Sequence, residues 1–387
     1  MQSYNNRLVI SVAGSGKTTY LVREAIKIQE QKILITTYTE ANKREIKKKF
    51  LEINGSIPSN VTIQTWFSFL LQHGVRPYQG TLFEGKINGM LLVNSASGIR
   101  FISKNKIAVP YTEDKDFMKH YFTPGHKIYS DKISKFVVRC NKESGGVLFN
   151  RLSKIYQHIF IDEVQDLAGN DLEILLLFLK SGIRIVMVGD PRQVTYLTHH
   201  ERKYKNYTNG NIKQFIIDKA EKLCIIDEST LAFSHRNNQE ICNFSSKLYP
   251  NLTPSTACSC SECRFGEGDH RGIFLVRSCD IDAYKKTYTP AILRHSMSLE
   301  PEWNFGNCKG IGFDRVLIFP TRAITKYLQD GQLKKIVMGK NGSVESDSLD
   351  KAKFYVALTR AKHSVAIACD SFFDKHIEGI QEWYPEK

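Results

Sequence analysis

The chain has no long hydrophobic run. Its longest, Ile174-Leu175-Leu176-Leu177-Phe178-Leu179, falls far short of the ~18 apolar residues that a membrane-spanning helix needs, so no membrane partner is expected. A cleaved leader is not expected either, because a glycine-bearing loop starts about ten residues in and would be lost with it. Nine cysteines, an odd number, do not suggest a disulfide framework; they suit free thiols in a reducing, cytoplasmic setting. Acid is scarce relative to base. With 40 Asp+Glu against 54 Lys+Arg the net charge is +14, which favours a polyanionic partner, although a ribosome-associated or membrane-surface protein would carry the same sum. Apolar material is plentiful, at 42% of 387 residues, enough for the cores of two domains.

The densest signal is Ser11-Val12-Ala13-Gly14-Ser15-Gly16-Lys17-Thr18-Thr19, set between the apolar run Leu8-Val9-Ile10 and a helical pattern through Tyr20, Leu21, Ala25 and Ile28. A strand, a glycine turn and Gly-Lys-Thr opening a helix form a triphosphate-binding loop. The glycines let successive N–H groups turn inward onto phosphate, and the helix N-terminus adds partial positive charge. On this reading Ala13, Gly14, Ser15, Gly16, Lys17, Thr18 and Thr19 hold the nucleotide; Lys17 reaches the terminal phosphates and Thr18 offers its hydroxyl to Mg²⁺. A second site agrees. Ile159-Phe160-Ile161-Asp162-Glu163 is a short apolar strand ending in two acids, one (Asp162) to hold the metal's water shell and one (Glu163) to orient or deprotonate the attacking water. Merely solvated acids at a strand end would come with no partner loop.

Strand and helix alternate along the first half, which predicts a parallel sheet covered on both faces. Lys32 to Thr36 reads as a strand, followed by Thr37-Tyr38-Thr39 and a basic helix from Glu40 to Phe50; Val61-Thr62-Ile63 is another strand, running into Thr65-Trp66-Phe67-Ser68-Phe69. In an open parallel sheet ligands bind at the carboxyl edge, so Thr37, Tyr38, Thr39, Thr65 and Trp66 become candidate nucleic-acid contacts. Phe67 and Phe69 read as core, and the lysines of the basic helix as either strand-binding or simply solvated. Residues 78–150 break the alternation and read as a small basic insertion. Between Lys86 and Lys142 lie eleven basic residues and four acids, with Phe101, Tyr111, Phe117, Tyr121, Phe122, Tyr129 and Phe136 interleaved. Such a pattern fits backbone tracking with base stacking, or equally a satellite subdomain with a solvated surface. The sheet resumes at Ile159, passes a buried helix near Leu172 to Leu179, and returns as a strand from Ile183 that ends in Gly189-Asp190-Pro191-Arg192-Gln193. That places the Gln193 amide at the edge shared by Lys17 and Asp162, as a sensor of the terminal phosphate or as an ordinary turn residue.

Ala13 to Thr18, Asp162-Glu163-Val164-Gln165-Asp166 and Gly189 to Gln193 together resemble motifs I, II and III of superfamily 1 helicases of the UvrD/Rep type. Thr36 to Ala41 is similar to motif Ia, Thr65 to Phe69 to Ib, Ser234-His235-Arg236 to IV, Lys309 to Asp314 to V, and Tyr355 to Lys362 to VI. The resemblance implies an α/β fold of two RecA-like P-loop NTPase domains with parallel sheets, at residues 1–228 and 229–387. It implies ATP and Mg²⁺ as cofactors, single-stranded DNA as partner, and 3′-to-5′ travel. Arg236 and Arg360 become arginine fingers, donated from the second domain to the terminal phosphate, and Tyr196 joins the nucleic-acid contacts. From periodicity, Asp350 to Lys362 reads as a helix whose Tyr355, Leu358 and Ala361 face a core while Arg360 points elsewhere.

The departures from that pattern also inform. No glutamine motif for adenine precedes the loop, His235 stands where the family has a base-stacking tyrosine, and Gly312 where it has a ribose-binding glutamate. Discrimination among ATP, GTP and dATP is therefore expected to be weak. Lys309 follows Arg236 by only 73 positions, where larger members insert an accessory domain. Strong unwinding by this chain alone is not expected, and a partner is, such as the nuclease subunit of an anti-phage complex. Cys258, Cys260 and Cys263 with His270 invite a zinc reading, but their crowding favours free loop thiols. Two functional classes stay open: an ATP-dependent translocase or helicase, and an ATP-binding regulatory or assembly subunit that switches a partner without travelling.

Overall fold

The computed structural model describes residues 6–103, 108–195, 203–264, 268–296, 302–339, 342–347 and 349–385. Contacts divide the chain into two compact units, one of Met1–Ile10, Lys17–Pro191 and Tyr196–Glu228, the other of Ser11–Gly16, Arg192–Thr195 and Ser229–Lys387. No helix among the described residues is long and apolar enough to cross a membrane.

In the first unit, β1 (Arg7–Ser11) leads into α1 (Lys17–Ile26), then β2 (Ile33–Thr37), α2 (Glu40–Asn54), β3 (Val61–Thr65), α3 (Ile133–Glu143), β4 (His158–Asp162), α4 (Asn170–Leu179), β5 (Arg184–Gly189) and β6 (Ile225–Leu231). The sheet order is β6-β1-β5-β4-β2-β3. β1 pairs in parallel with β5, β5 with β4, β4 with β2 and β2 with β3. All five residues of β2 and all five of β4 are buried, the mark of central parallel strands covered on both faces. In α2, Ile46 and Phe50 face inward, while Lys43, Lys48 and Lys49 lie on the outer face and pair with Glu40 and Glu52. Gly55 closes the helix in the left-handed region at φ 73°, where a side chain would be strained.

The stretch between β3 and β4 is less of a satellite than its composition suggests. Tyr121, Phe122, Ile128 and Phe136 are buried in the same apolar core as Leu34, Trp66 and Phe178, so three of the seven interleaved aromatics pack rather than present faces to bases. Phe101 stays half exposed at 52%. Glu113 anchors this region through Arg139 Nη1 at 2.6 Å, Lys135 Nζ at 2.9 Å and the Tyr121 hydroxyl.

The second unit holds α5 (Gln239–Ser246), β7 (Gly272–Arg277), α6 (Ile281–Tyr288), β8 (Ala291–Arg294), β9 (Trp303–Asn304), β10 (Phe313–Phe319), α7 (Arg322–Asp330), α8 (Lys351–Leu358), β11 (Ala361–Cys369) and β12 (Ile380–Glu382). Its sheet runs β9-β8-β10-β11-β7-β12, and every neighbouring pair is parallel. The protein is thus α/β, with two RecA-like units built on parallel sheets and an insertion in the first. The periodicity reading of Asp350 to Lys362 needs correction: α8 ends at Leu358, and Ala361 already begins β11. Arg360, expected off the buried stripe, is 2% exposed.

Burial alone would raise the Glu113 carboxyl, but hydrogen bonds from Tyr121, Lys135 and Arg139 outweigh it and pull it down to about 2. A carboxyl depressed on folding stabilises above its unfolded value of about 4.3 and loses that contribution as pH falls toward its folded value. Glu113→Gln is therefore expected to lower unfolding free energy by on the order of 2 kcal/mol at neutral pH, with the gap to wild type narrowing below about pH 4; chemical denaturation across pH checks it.

Candidate nucleotide site

Because β1, β5, β4 and β2 run parallel, their carboxyl ends finish on one edge, where ligands gather in open α/β sheets. Asp162 ends β4, and Lys17 and Thr18 open α1. Lys17 Nζ lies 3.8 Å from Glu163 Oε1, both side chains about nine-tenths buried. Glu163 also accepts a hydrogen bond from the Gln165 amide. Its backbone sits in the left-handed region at φ 55°, a strained conformation for a residue with a Cβ. That turn aims the carboxylate back along the edge. Burial pushes the Asp162 carboxyl up, to about 8, and the neighbouring Glu163 charge adds to this while Lys17 opposes it. Thr18 Oγ1 is 3.5 Å from Glu45 Oε1.

The residues fit a magnesium nucleotide. Asp162 Oδ1 and Ser15 Oγ are buried with no hydrogen-bond partner among the described residues, and Gly14 and Gly16 take φ of 73° and 81°, which turns the loop as phosphate cradling needs. With such a ligand bound, Lys17 would face the terminal phosphates, and Thr18 and Asp162 would offer oxygens to the ion.

Gln193, Arg236 and Arg360 come together within the second unit as contacts divide the chain. Arg360 donates from Nη2 to Gln193 Oε1 at 3.4 Å, from Nη1 to Ile311 O at 3.2 Å and from Nε to Val356 O at 3.1 Å. Its guanidinium can be buried because a carbonyl of α8, Val356 O, and one from the turn before β10, Ile311 O, accept from it. Arg236 Nη1 donates to Thr359 O at 3.2 Å. Gly312 makes room for it: a Cβ there would stand 3.1 Å from Arg236 Nε. The loop residue Gly14 is held close by as well, its carbonyl accepting from His235 N at 2.9 Å. A Cβ on Gly14 would meet Arg236 Cβ at 2.7 Å, so glycine is required there by space as well as by φ. Ala13 is 2% exposed, packed with the second unit's core. Thr19 is the third residue of α1 and is half-buried.

Several predicted nucleic-acid contacts do not survive burial. Trp66 is 1% exposed and donates from Nε1 to Asp171 Oδ1 at 2.7 Å, so it has no face to offer a base. Thr65 caps the short helix that follows it, its hydroxyl accepting from Ser68 N at 3.3 Å, and Thr37 is 1% exposed. Tyr38 and Thr39 remain half-buried at the edge; Tyr38 packs against Phe67 with ring planes 60° apart and centroids at 5.5 Å, and Thr39 caps α2, its hydroxyl accepting from Asn42 N at 3.1 Å. Tyr196 lies outside the described residues. His270 is corrected too. It stacks between Phe274 and Tyr288, at 4.1 and 3.8 Å between centroids, and burial together with Arg315 lowers it to about 4, so it serves as a neutral core ring.

Asn237 was not anticipated. Buried at 1%, it donates from Nδ2 to Thr359 O at 3.1 Å and to Ala361 O at 2.6 Å, clamping the turn that carries Arg360 to the segment that carries Arg236. Asn238, next to it, caps α5. Two asparagines directly before a helix signal a cap, but nothing local says that one of them reaches a turn more than a hundred residues away.

Fold and site together define a phosphate-loop α/β protein of the two-sheet, RecA-like class. A family model described as AAA domain matches residues 2–199, just over half of the chain, and the chain belongs to that family. Among curated proteins it is 31% identical over 139 residues to a protein of Acanthamoeba polyphaga mimivirus named as an ATP-dependent DNA helicase, R568, covering 35% of this chain and 17% of that one. It is 24% identical over 105 residues to the RecBCD enzyme subunit RecB of Borreliella burgdorferi, covering 27% of this chain and 8% of the relative. The alignments therefore span less than a fifth of either relative's length. Among solved structures, Arterivirus nonstructural protein 10 (helicase) is 13% identical with a TM-score of 0.45, over 95% of this chain and 60% of that one. The PRRSV helicase is 14% identical with a TM-score of 0.42, over 95% and 53%.

Asn237→Ala would take the amide donor from Ala361 O and leave Thr359 O with the one from Arg236. Unfolding free energy of the chain is expected to fall by about 1–3 kcal/mol, measured by denaturant titration, whereas a change under ~0.5 kcal/mol would mean that water replaces the amide.

Proposed function

We propose that the chain is an ATP-dependent translocase on single-stranded nucleic acid, a superfamily 1 helicase of the UvrD/Rep type that moves 3′-to-5′ on DNA. The observation that carries this is the edge of the first sheet, where Lys17, a strained Glu163 and a buried, unsatisfied Asp162 converge. Domains at 1–228 and 229–387 divide the labour. Ala13 to Thr19 bind MgATP, with Thr18 and Asp162 toward the ion, which when bound supplies charge to the phosphates. Glu163 holds the attacking water and takes its proton, with Lys17 partly offsetting its charge until phosphate arrives. Gln193, Arg236 and Arg360 address the terminal phosphate; the Arg360 guanidinium, fixed by two carbonyls and Gln193, needs little reordering as charge develops there. Tyr38, Thr39 and Tyr196 are the proposed strand contacts, and the +14 charge supports a polyanionic partner. Its setting would be the cytoplasm, beside a nuclease subunit in anti-phage defence.

The burial of Thr37, Thr65 and Trp66 favours a second reading, an ATP-binding regulatory or assembly subunit that switches a partner without translocating. Steady-state ATP hydrolysis with and without single-stranded DNA separates the two. Translocation predicts many-fold stimulation by DNA, and switching predicts a rate indifferent to it. In either case Glu163→Gln is expected to keep nucleotide affinity while turnover falls by at least about a hundredfold. Retained turnover would remove Glu163 as the base.

A further inference from the structure

A short parallel pairing sets Phe233 opposite Thr256 and Ser234 opposite Ala257, and Cys258 N donates to Ser234 O at 2.9 Å. This brings His235, 23 positions upstream of Cys258, into a cluster with three cysteines. Cys258 Sγ and Cys260 Sγ are 3.4 Å apart, and Cys263 Sγ is 3.5 Å from His235 Nδ1. All four donor atoms lie within 4.8 Å of one another. Zinc with bonds of about 2.3 Å to sulfur and 2.0–2.1 Å to nitrogen has tetrahedral edges of about 3.6–3.8 Å, so small side-chain adjustments seat the ion. A disulfide would require sulfurs about 2.05 Å apart, and none of the three cysteines is in one.

We propose that Cys258, Cys260, Cys263 and His235 Nδ1 form a closed, structural Zn²⁺ site. Four protein ligands leave no position for a reacting water, so the ion acts by holding chain. The chain that it holds is the segment that matters next door: His235 N bonds Gly14 O at 2.9 Å, and Arg236 follows directly, its Cβ against Gly14. His235 and its zinc are thus positioning elements for Arg236 and for the turn of the phosphate loop. This second consequence rests on the nucleotide-hydrolysis reading; the metal site does not.

Metal analysis of the purified full chain tests the site, with one zinc per chain expected. Cys260→Ser, at an exposed position, and His235→Ala should each lose most of it, and Cys263→His, which keeps a ligand, should retain it where Cys263→Ser does not. Co²⁺ exchanged into the site should show tetrahedral visible bands with thiolate charge transfer. Turnover is expected to drop by about 10–100-fold in the Ser and Ala variants and to be rescued in Cys263→His. Zinc-free chain with freely titrating thiols, or a Cys258–Cys260 disulfide found by mass, overturns the site. Zinc lost with turnover unchanged in Cys260→Ser overturns the positioning role, and bound zinc in a chain that hydrolyses no nucleotide at all overturns the hydrolysis reading while leaving the site standing.

Discussion

Parallel pairing is the constraint on which the rest depends. Once β1, β5, β4 and β2 run the same way in register, whatever follows each strand must emerge on the same edge. Lys17 at the start of α1, Asp162 at the end of β4, Glu163 after it and Asp190 after β5 come to that edge without any side chain steering them. Their charges then set one another. Asp162 is held up toward its neutral form by burial and by Glu163, and Lys17 leans on Glu163 at 3.8 Å. With Lys17 set against Glu163 and Asp162 held toward its neutral form, the edge keeps a carboxyl that a cation arriving with phosphate would draw back to its charged form.

The second unit solves a different problem, how to bury arginine. Arg360 would carry a large desolvation penalty in an apolar core. The end of α8 offers Val356 O and the turn before β10 offers Ile311 O to the guanidinium, while the Asn237 amide donates to Thr359 O and Ala361 O. Carbonyls at and just beyond the end of α8, where intrahelical donors run out, and Ile311 O in the turn before β10 thus become acceptors for Arg236 and Arg360. Sequence segments more than a hundred residues apart are locked by that exchange.

Much of this was legible in sequence where burial is continuous. Leu8-Val9-Ile10, Ile159-Phe160-Ile161 and Ile183 to Val188 read as strands and are β1, β4 and β5, because a strand covered on both faces leaves an uninterrupted apolar run. The helix of Leu172 to Leu179 was equally plain. What failed depended on partners far away in sequence. Trp66 read as a stacking residue because its indole partner, Asp171, lies 105 positions on. Arg360 reads as lying off the buried stripe because periodicity treats arginine as polar and cannot see the carbonyls that accept from it. His270 was paired with the cysteines because it stood seven residues beyond Cys263, whereas the ring beside them belongs to His235, brought there by backbone pairing. Aromatics of the insertion misled for the same reason: Tyr121 and Phe136 are as buried as any residue of the main core.

The central claim is that the first sheet's edge binds nucleotide through Lys17. Calorimetric titration of MgATP into wild type and Lys17→Ala tests it most directly. Loss of a charge-assisted contact to phosphate should weaken binding by at least about tenfold, with the fold unchanged by circular dichroism. Equal affinity in the two proteins would contradict the account.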